Sequence, residues 1–328
     1  MTREIRRILV TGALGQIGTE LTAALRSRYG ADNVVASDIR PPAGAGKGNE
    51  GPWTILDVMN AEAVENTLRD LRIDSVFHLA AILSATGERE PGLCWKVNIE
   101  GTLHVLEAAR KLDLSRIIVP SSIAAFGPET PRHMTPQETV LRPRTMYGVT
   151  KVAGELLCDY YIRRFGVDVR GLRYPGIISS ETPPGGGTTD YAVDIYYKAV
   201  EKGSYECFVR EDTMLPMMYM PDCIKATLDL AEAPFDSLIH HSDFNVGALS
   251  VTAGEIADSI REHIPGFTVT YRPDFRQAIA DTWPCSVDDS AARAEWGWTP
   301  DWDLPSMTAD MLARLRAKRT PAADPSAG

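Results

Sequence analysis

Tyr147 and Lys151 stand four residues apart in the run Tyr147-Gly148-Val149-Thr150-Lys151. On a helix that spacing puts both side chains on one face, about 6 Å apart along the axis. A helix is predicted from Tyr147 through Ala153, Leu156, Leu157 and Tyr160 to Arg164, because apolar residues recur at three and four. A free tyrosine titrates at about pH 10 and is a poor base at neutral pH, but an adjacent ammonium favours the phenolate, which takes a proton from an alcohol. With eleven Tyr in the chain, a helix-capping tyrosine followed by a surface lysine also arises by accident. The pair gains meaning only from what stands around it.

The elements that would position it begin with an apolar run over residues 5–11, which breaks into Gly12-Ala13-Leu14-Gly15-Gln16-Ile17-Gly18 and then an amphipathic segment, residues 19–28. Strand, glycine turn and helix in that order lay a pyrophosphate on a helix N-terminus, with Gln16 and Ile17 in the first turn. Gly12 permits the tight turn, Gly15 lets the backbone approach the phosphates, and Gly18 lets the helix pack on the strand. The spacing is GxxGxxG rather than GxGxxG. A second strand over residues 33–37 ends at Asp38, twenty residues beyond Gly18, where a carboxylate accepts ribose hydroxyls and repels a 2′-phosphate. This favours NAD over NADP, with Arg40 a partial counterweight.

Residues 41–52 read as a Gly- and Pro-rich surface loop. Asp57 and Val58 either meet an adenine edge, or Asp57 caps the helix that starts near Ala61. A strand over residues 75–79 delivers Leu79, Ala80 and Ala81, small enough to admit a ligand against the backbone. Pro91 begins a long helix in which Asn98 is an uncommon interior residue, which points to a role beside a cofactor. A further strand over residues 116–120 brings up Ser122, either a donor to a reacting oxygen or a turn cap. Strands and helices alternate throughout, predicting an α/β fold with a parallel sheet and a ligand cleft at the strands' carboxyl ends. Ser122 and Tyr147 both fall at that end.

The net charge of −10 over 328 residues argues against a nucleic-acid or anionic-membrane partner. No apolar run approaches a membrane span, and the N-terminal residues enter a strand directly, so the expectation is a cytoplasmic protein. The five cysteines, Cys94, Cys158, Cys207, Cys223 and Cys285, show no CxxC spacing, and the six histidines no HxxxH set. Reduced thiols and no metal site are expected.

Together TGALGQIG, Asp38, HLAA, Asn98, SSIAAFG and Tyr147-x-x-x-Lys151 resemble the extended short-chain dehydrogenase/reductase family over roughly residues 5–300. The resemblance implies a Rossmann doubly wound parallel sheet with a smaller α+β substrate domain. Residues 1–175 with a further core segment near 210–250 would form the first and residues 176–318 mainly the second; residues 319–328, rich in Ala and Pro, read by composition as a disordered tail. It also implies NAD as cofactor, Tyr147 as proton acceptor, Lys151 on the nicotinamide ribose, Ser122 orienting the substrate oxygen, Ile177 beside the cofactor, and a homodimer through the Tyr147 helix and the one after Pro91.

Sugar-nucleotide epimerases and dehydratases typically carry an Asn-Val-Tyr-Gly-Pro-like turn after the sixth strand. This chain has RYPGIIS, followed by PGGGTTDYAVDIYY and LPMMYMPDC, which resemble the zinc-independent L-threonine 3-dehydrogenase branch. From Gly176 to Ala233 the cations are only Lys198, Lys202, Arg210 and Lys225, few for a nucleotide diphosphate. A Gly-Gly-Gly-Thr-Thr loop suits a compact zwitterion instead. Thr188 and Thr189 are expected to meet the amino acid, with Ser84 on the opposite wall; Thr188 alternatively caps the next helix. Arg173 faces a carboxylate or makes an internal ion pair, and Trp283 closes the pocket or simply packs. The expected reaction is NAD-dependent oxidation of the L-threonine β-hydroxyl to 2-amino-3-oxobutanoate. The alternatives are a nucleotide-sugar epimerase or dehydratase, and a scaffold that keeps the fold without the reaction.

Overall fold

The strand Ile8–Thr11 lies between Val34–Asp38 and Ser75–His78 in a six-stranded, all-parallel sheet, in the computed structural model that describes residues 3–42, 51–183 and 185–319. The order across the sheet is Trp53–Ile55, Val34–Asp38, Ile8–Thr11, Ser75–His78, Arg116–Ile118, Val169–Arg170. The strand order reverses at Ile8–Thr11, with the following strands stepping to one side and then to the other, which opens a crevice at the carboxyl ends of its neighbours. The strands are apolar runs because both faces are covered. Val64, Leu68, Val105, Leu106 and Tyr161 pack against one face, and Leu21, Leu25, Leu228 and Ala231 against the other.

The chain then builds a second layer set. Leu249–Thr252 pairs antiparallel with Met214–Tyr219, which pairs parallel with Gly176–Ile178. The helices Tyr191–Lys202, Ala253–His263 and Leu304–Arg319 close over that sheet around Ile195, Tyr196, Met307 and Met311. A short parallel sheet of Ser121–Ser122, Leu172–Tyr174 and Phe244–Asn245 joins the halves, with Ser121 opposite Arg173 and Ser122 opposite Tyr174. The helix Met220–Glu232 returns to the first half, where Leu228 and Ala231 share a core with Leu21 and Leu25.

Three elements differ from expectation. Residues 53–55, between the predicted loop and Asp57, form an edge strand paired with Val34–Asp38. The helix from Pro91 is interrupted by a π turn, Lys96–Glu100, between Pro91–Trp95 and Gly101–Leu112. Arg319 ends the last helix; the rest of the predicted tail, most of the 41–52 loop and Pro184 lie outside the described residues. No described helix is long and apolar enough to cross a membrane.

Candidate active site

Gly12 leaves the first strand at φ 68°, and a Cβ there would sit 2.7 Å from the backbone nitrogen of Ala80. Glycine is therefore required both by conformation and by the close approach of the next strand's end. Gly15 is the N-cap of the helix Gln16–Tyr29, which has no side-chain cap and no acidic residue in its first turn. Its first N–H groups and positive dipole end face the crevice, as binding of a pyrophosphate needs. Gln16 Nε2 donates to the Ile177 carbonyl at 3.3 Å, tying this helix to the second half.

Asp38 ends its strand and accepts from Leu14 N at 3.2 Å and Ile39 N at 2.9 Å. Asp57 accepts from Met59 N at 2.9 Å, whereas Asn60 caps the helix Ala61–Asp70. Val58 is buried, and its carbonyl accepts from His104 Nδ1 at 2.9 Å. Asp38, Asp57 and Val58 do not line the main cleft; Asp38 ends Val34–Asp38, and Asp57 and Val58 follow the edge strand Trp53–Ile55. Every other predicted cofactor residue, from Gly12, Gly15, Gln16, Ile17 and Gly18 to Leu79, Ala80, Ala81, Asn98 and Ile177, does.

At the floor, His78 is fully buried and its Nδ1 lies 2.8 Å from Thr11 Oγ1. Burial, with a smaller contribution from the charge of Lys151, pushes it down to about 3. It is therefore neutral at physiological pH. Asn98, in the π turn, uses its whole amide: Oδ1 accepts from Ile82 N at 2.8 Å, while Nδ2 donates to Ile82 O at 3.1 Å and Thr150 Oγ1 at 3.0 Å. It holds the loop after the third inner strand to the helix of Tyr147.

That helix, Met146–Phe165, is capped by Thr145, whose hydroxyl accepts from Gly148 N at 3.1 Å. Tyr147 is thus in its first turn rather than at the cap. A Cβ on Gly148 would lie 2.2 Å from the Ala124 carbonyl, so only glycine lets the helix start pack against the Ile123–Ala125 turn that follows Ser122. Lys151 Nζ sits 5.3 Å from the Tyr147 ring centroid and donates to the Pro120 carbonyl at 2.7 Å. Ser122 does cap that turn, accepting from Ala124 N at 3.2 Å. The bond uses an oxygen lone pair and leaves the hydroxyl hydrogen to donate elsewhere. Ser122, Tyr147 and Lys151 line one cleft.

Farther along it, Ser84 Oγ and Thr188 Oγ1 face each other at 3.4 Å, both buried. Thr189 lines the same end. Thr188 does not cap the following helix; Asp190 is its N-cap residue. Asp190 Oδ2 accepts from Gly186 N at 2.6 Å and Gly187 N at 2.7 Å, holding the glycine loop closed. Burial raises this carboxyl against the lowering effect of those two N–H groups. Trp283 is both a packed core residue and a wall of the cleft. Arg173 is not in the lining: it pairs with Glu155 at 2.8 Å and Asp243 at 3.2 Å. Asp190, His78, Ser121 and Glu155 are lining residues to which sequence reading assigned no role. Only Asp190, directly after the two threonines, carried a signal, since a carboxylate beside a glycine loop is a natural anchor.

The NAD dependent epimerase/dehydratase family matches residues 8–247. An uncharacterized epimerase/dehydratase of Staphylococcus haemolyticus is 49% identical over 315 residues, covering 96% of this chain and 99% of its own. Among solved structures, the L-threonine dehydrogenase of Clostridium difficile is 51% identical, with TM-score 0.94 over 96% of this chain and 99% of that one. A monomeric L-threonine 3-dehydrogenase of metagenomic origin is 50% identical, with TM-score 0.92 over 95% and 100%.

Proposed function

The chain belongs to the NAD dependent epimerase/dehydratase family, and on that premise we propose that it oxidises L-threonine at the β-hydroxyl to 2-amino-3-oxobutanoate, with NAD as oxidant. One observation carries the choice of substrate. Lys151 is the single Lys or Arg among the described residues that line the cleft, and it is committed to Tyr147 and Pro120. A sugar nucleotide would present a diphosphate with no guanidinium to meet it. The far end instead offers three hydroxyls, Ser84, Thr188 and Thr189, and the carboxylate of Asp190. Those groups match a carboxylate and an ammonium on a small molecule. The names of the solved relatives support the same reading.

The glycine turn and the open N-terminus of Gln16–Tyr29 would hold the cofactor pyrophosphate, and Asp38 its adenosine ribose. Bound NAD would supply the acceptor for the two electrons leaving the β-carbon. Ser122 donates its free hydrogen to the β-oxygen and orients it. Tyr147 takes the proton as hydride leaves for NAD, and the Lys151 ammonium favours the anionic tyrosine oxygen that accepts it. Of the three ammonium hydrogens one is used on Pro120, leaving others for the nicotinamide ribose. Asp190 anchors the ammonium of the substrate and the hydroxyls of Ser84 and Thr188 its carboxylate.

We further assign a homodimer to the packed pair Pro91–Trp95 and Met146–Phe165, whose outer side exposes Leu93, Trp95, Val149, Leu156 and Tyr160. Val149, Leu156 and Tyr160 fall on one face of the long helix by their spacing, and a contiguous exposed apolar set marks an interaction surface.

A screen of the purified protein with NAD tests the function: net NADH formation from L-threonine is expected, and none from UDP-sugars. Interconversion of a UDP-sugar without net NADH, and no reaction with threonine, would overturn it.

A further inference from the structure

The segment Pro120-Ser121-Ser122 enters the cleft along the helix face that carries Tyr147 and Lys151, and it is fastened there at two points one turn apart. Lys151 donates to the Pro120 carbonyl at 2.7 Å, and the Ser121 hydroxyl donates to Glu155 Oε1. Glu155, 7% exposed, is itself held by both arms of one guanidinium: Arg173 Nε at 2.9 Å on Oε1 and Nη2 at 2.8 Å on Oε2. Arg173, 2% exposed, also donates to the Gln137 carbonyl at 3.0 Å, Asn245 Oδ1 at 3.2 Å and Asp243 Oδ2 at 3.2 Å. A bidentate carboxylate on a planar, buried fork has one orientation. The oxygen that receives Ser121 is thereby fixed by segments from distant parts of the chain.

We propose that Glu155 is a positioning residue for the reaction: acting through Ser121, it sets where the hydroxyl of the adjacent Ser122 stands relative to Tyr147. Pairing with Leu172–Tyr174 sets the strand's course, and Lys151 holds the Pro120 carbonyl. The Ser121 contact, one turn further on, ties that strand to the helix of Tyr147 and sets the spacing between the Ser122 oxygen and Tyr147. The inference rests on the roles given above to Ser122 and Tyr147.

Ser121→Ala breaks the link while leaving the Glu155 and Arg173 pair intact. It is expected to lower kcat about tenfold, with KM for L-threonine and NAD affinity by fluorescence titration changed less than about twofold, since misplacing a reacting group costs rate rather than binding. In a Ser122→Ala background the same change should add less than about twofold, because residues acting as a unit are non-additive. Glu155→Gln, which keeps an accepting oxygen for Ser121, should retain more kcat than Glu155→Ala. A kcat unchanged in Ser121→Ala, or a full multiplicative loss on top of Ser122→Ala, overturns the proposal. If the Glu155 variants do not fold, the two serine variants decide alone. Should the wild-type protein oxidise another alcohol instead of L-threonine, the same cycle is run on that alcohol, so failure of the substrate reading is distinguished from failure of this one.

Discussion

Asp38 places a carboxylate at the mouth of the second strand, with backbone N–H groups from Leu14 and Ile39 fixing its orientation. Its remaining lone pairs suit two ribose hydroxyls, and its charge opposes a 2′-phosphate. Asp38→Ala is expected to raise KM for NAD by roughly tenfold to a hundredfold, the loss of about 1.5–3 kcal/mol for hydrogen bonds to a charged group. The same variant should raise kcat/KM for NADP, in steady-state assays with each cofactor. His78 offers a test of burial. Its native form stays neutral down to about 3, whereas the unfolded chain protonates it near its ordinary 6.5. Its contribution is therefore complete above the unfolded value and is withdrawn as pH falls toward the folded one, at up to about 1.4 kcal/mol per pH unit. His78→Gln should flatten the pH dependence of urea-unfolding stability below neutral; an unchanged slope would mean that the imidazole is solvated. At this scale Tyr147, Lys151 and Ser122 were legible because helix periodicity and strand ends place them without tertiary information. Arg173 was not: whether a buried guanidinium meets Glu155 or a ligand depends on helix-to-strand packing that spacing does not encode. Of the two readings left open for Asp57 and for Thr188, capping is the one that fails, because Asn60 and Asp190 occupy the N-cap positions.

The helix Met146–Phe165 is the element on which the site turns. Its start is set by Thr145 and by the absence of a side chain at Gly148, which lets it touch the Ala124 carbonyl. Gly148→Ala puts a methyl group 2.2 Å from that oxygen, so the helix and the Ser122 turn must separate. The expected result is at least a tenfold fall in kcat with a lowered Tm, while NAD binding at the distant glycine turn persists; an unaltered kcat would show that the contact is slack. The break in the Pro91 helix has a residue-level hint in Asn98, yet a π turn cannot be read from one polar residue in a helical pattern. The edge strand Trp53–Ile55 escaped because three residues carry no period of their own; pairing with Val34–Asp38 makes it a strand.

Across the whole molecule, alternation of strand and helix predicted the parallel sheet and its cleft, since each apolar run had to be covered on both faces. No local pattern sets how residues 176–319 divide: Met220–Glu232 packs on the first sheet, while Met214–Tyr219 just before it pairs in the second. Apolar residues on the outer side of Met146–Phe165 read in sequence only as amphipathic; their exposure shows a face without an intramolecular partner. If two chains meet there, Leu156→Asp, at a residue 66% exposed, should convert a dimer into a monomer by light scattering at micromolar concentration without unfolding it. A wild-type monomer would refute that interface.

The reaction itself is tested most directly with L-threonine carrying deuterium on the β-carbon. Incubated with NAD and the protein, it should yield 2-amino-3-oxobutanoate and a reduced cofactor that contains the deuterium stoichiometrically, and Tyr147→Phe should abolish nearly all of that transfer while still binding NAD. Reduced cofactor without the label, or undiminished transfer in the Tyr147 variant, would contradict oxidation of the β-hydroxyl by this site.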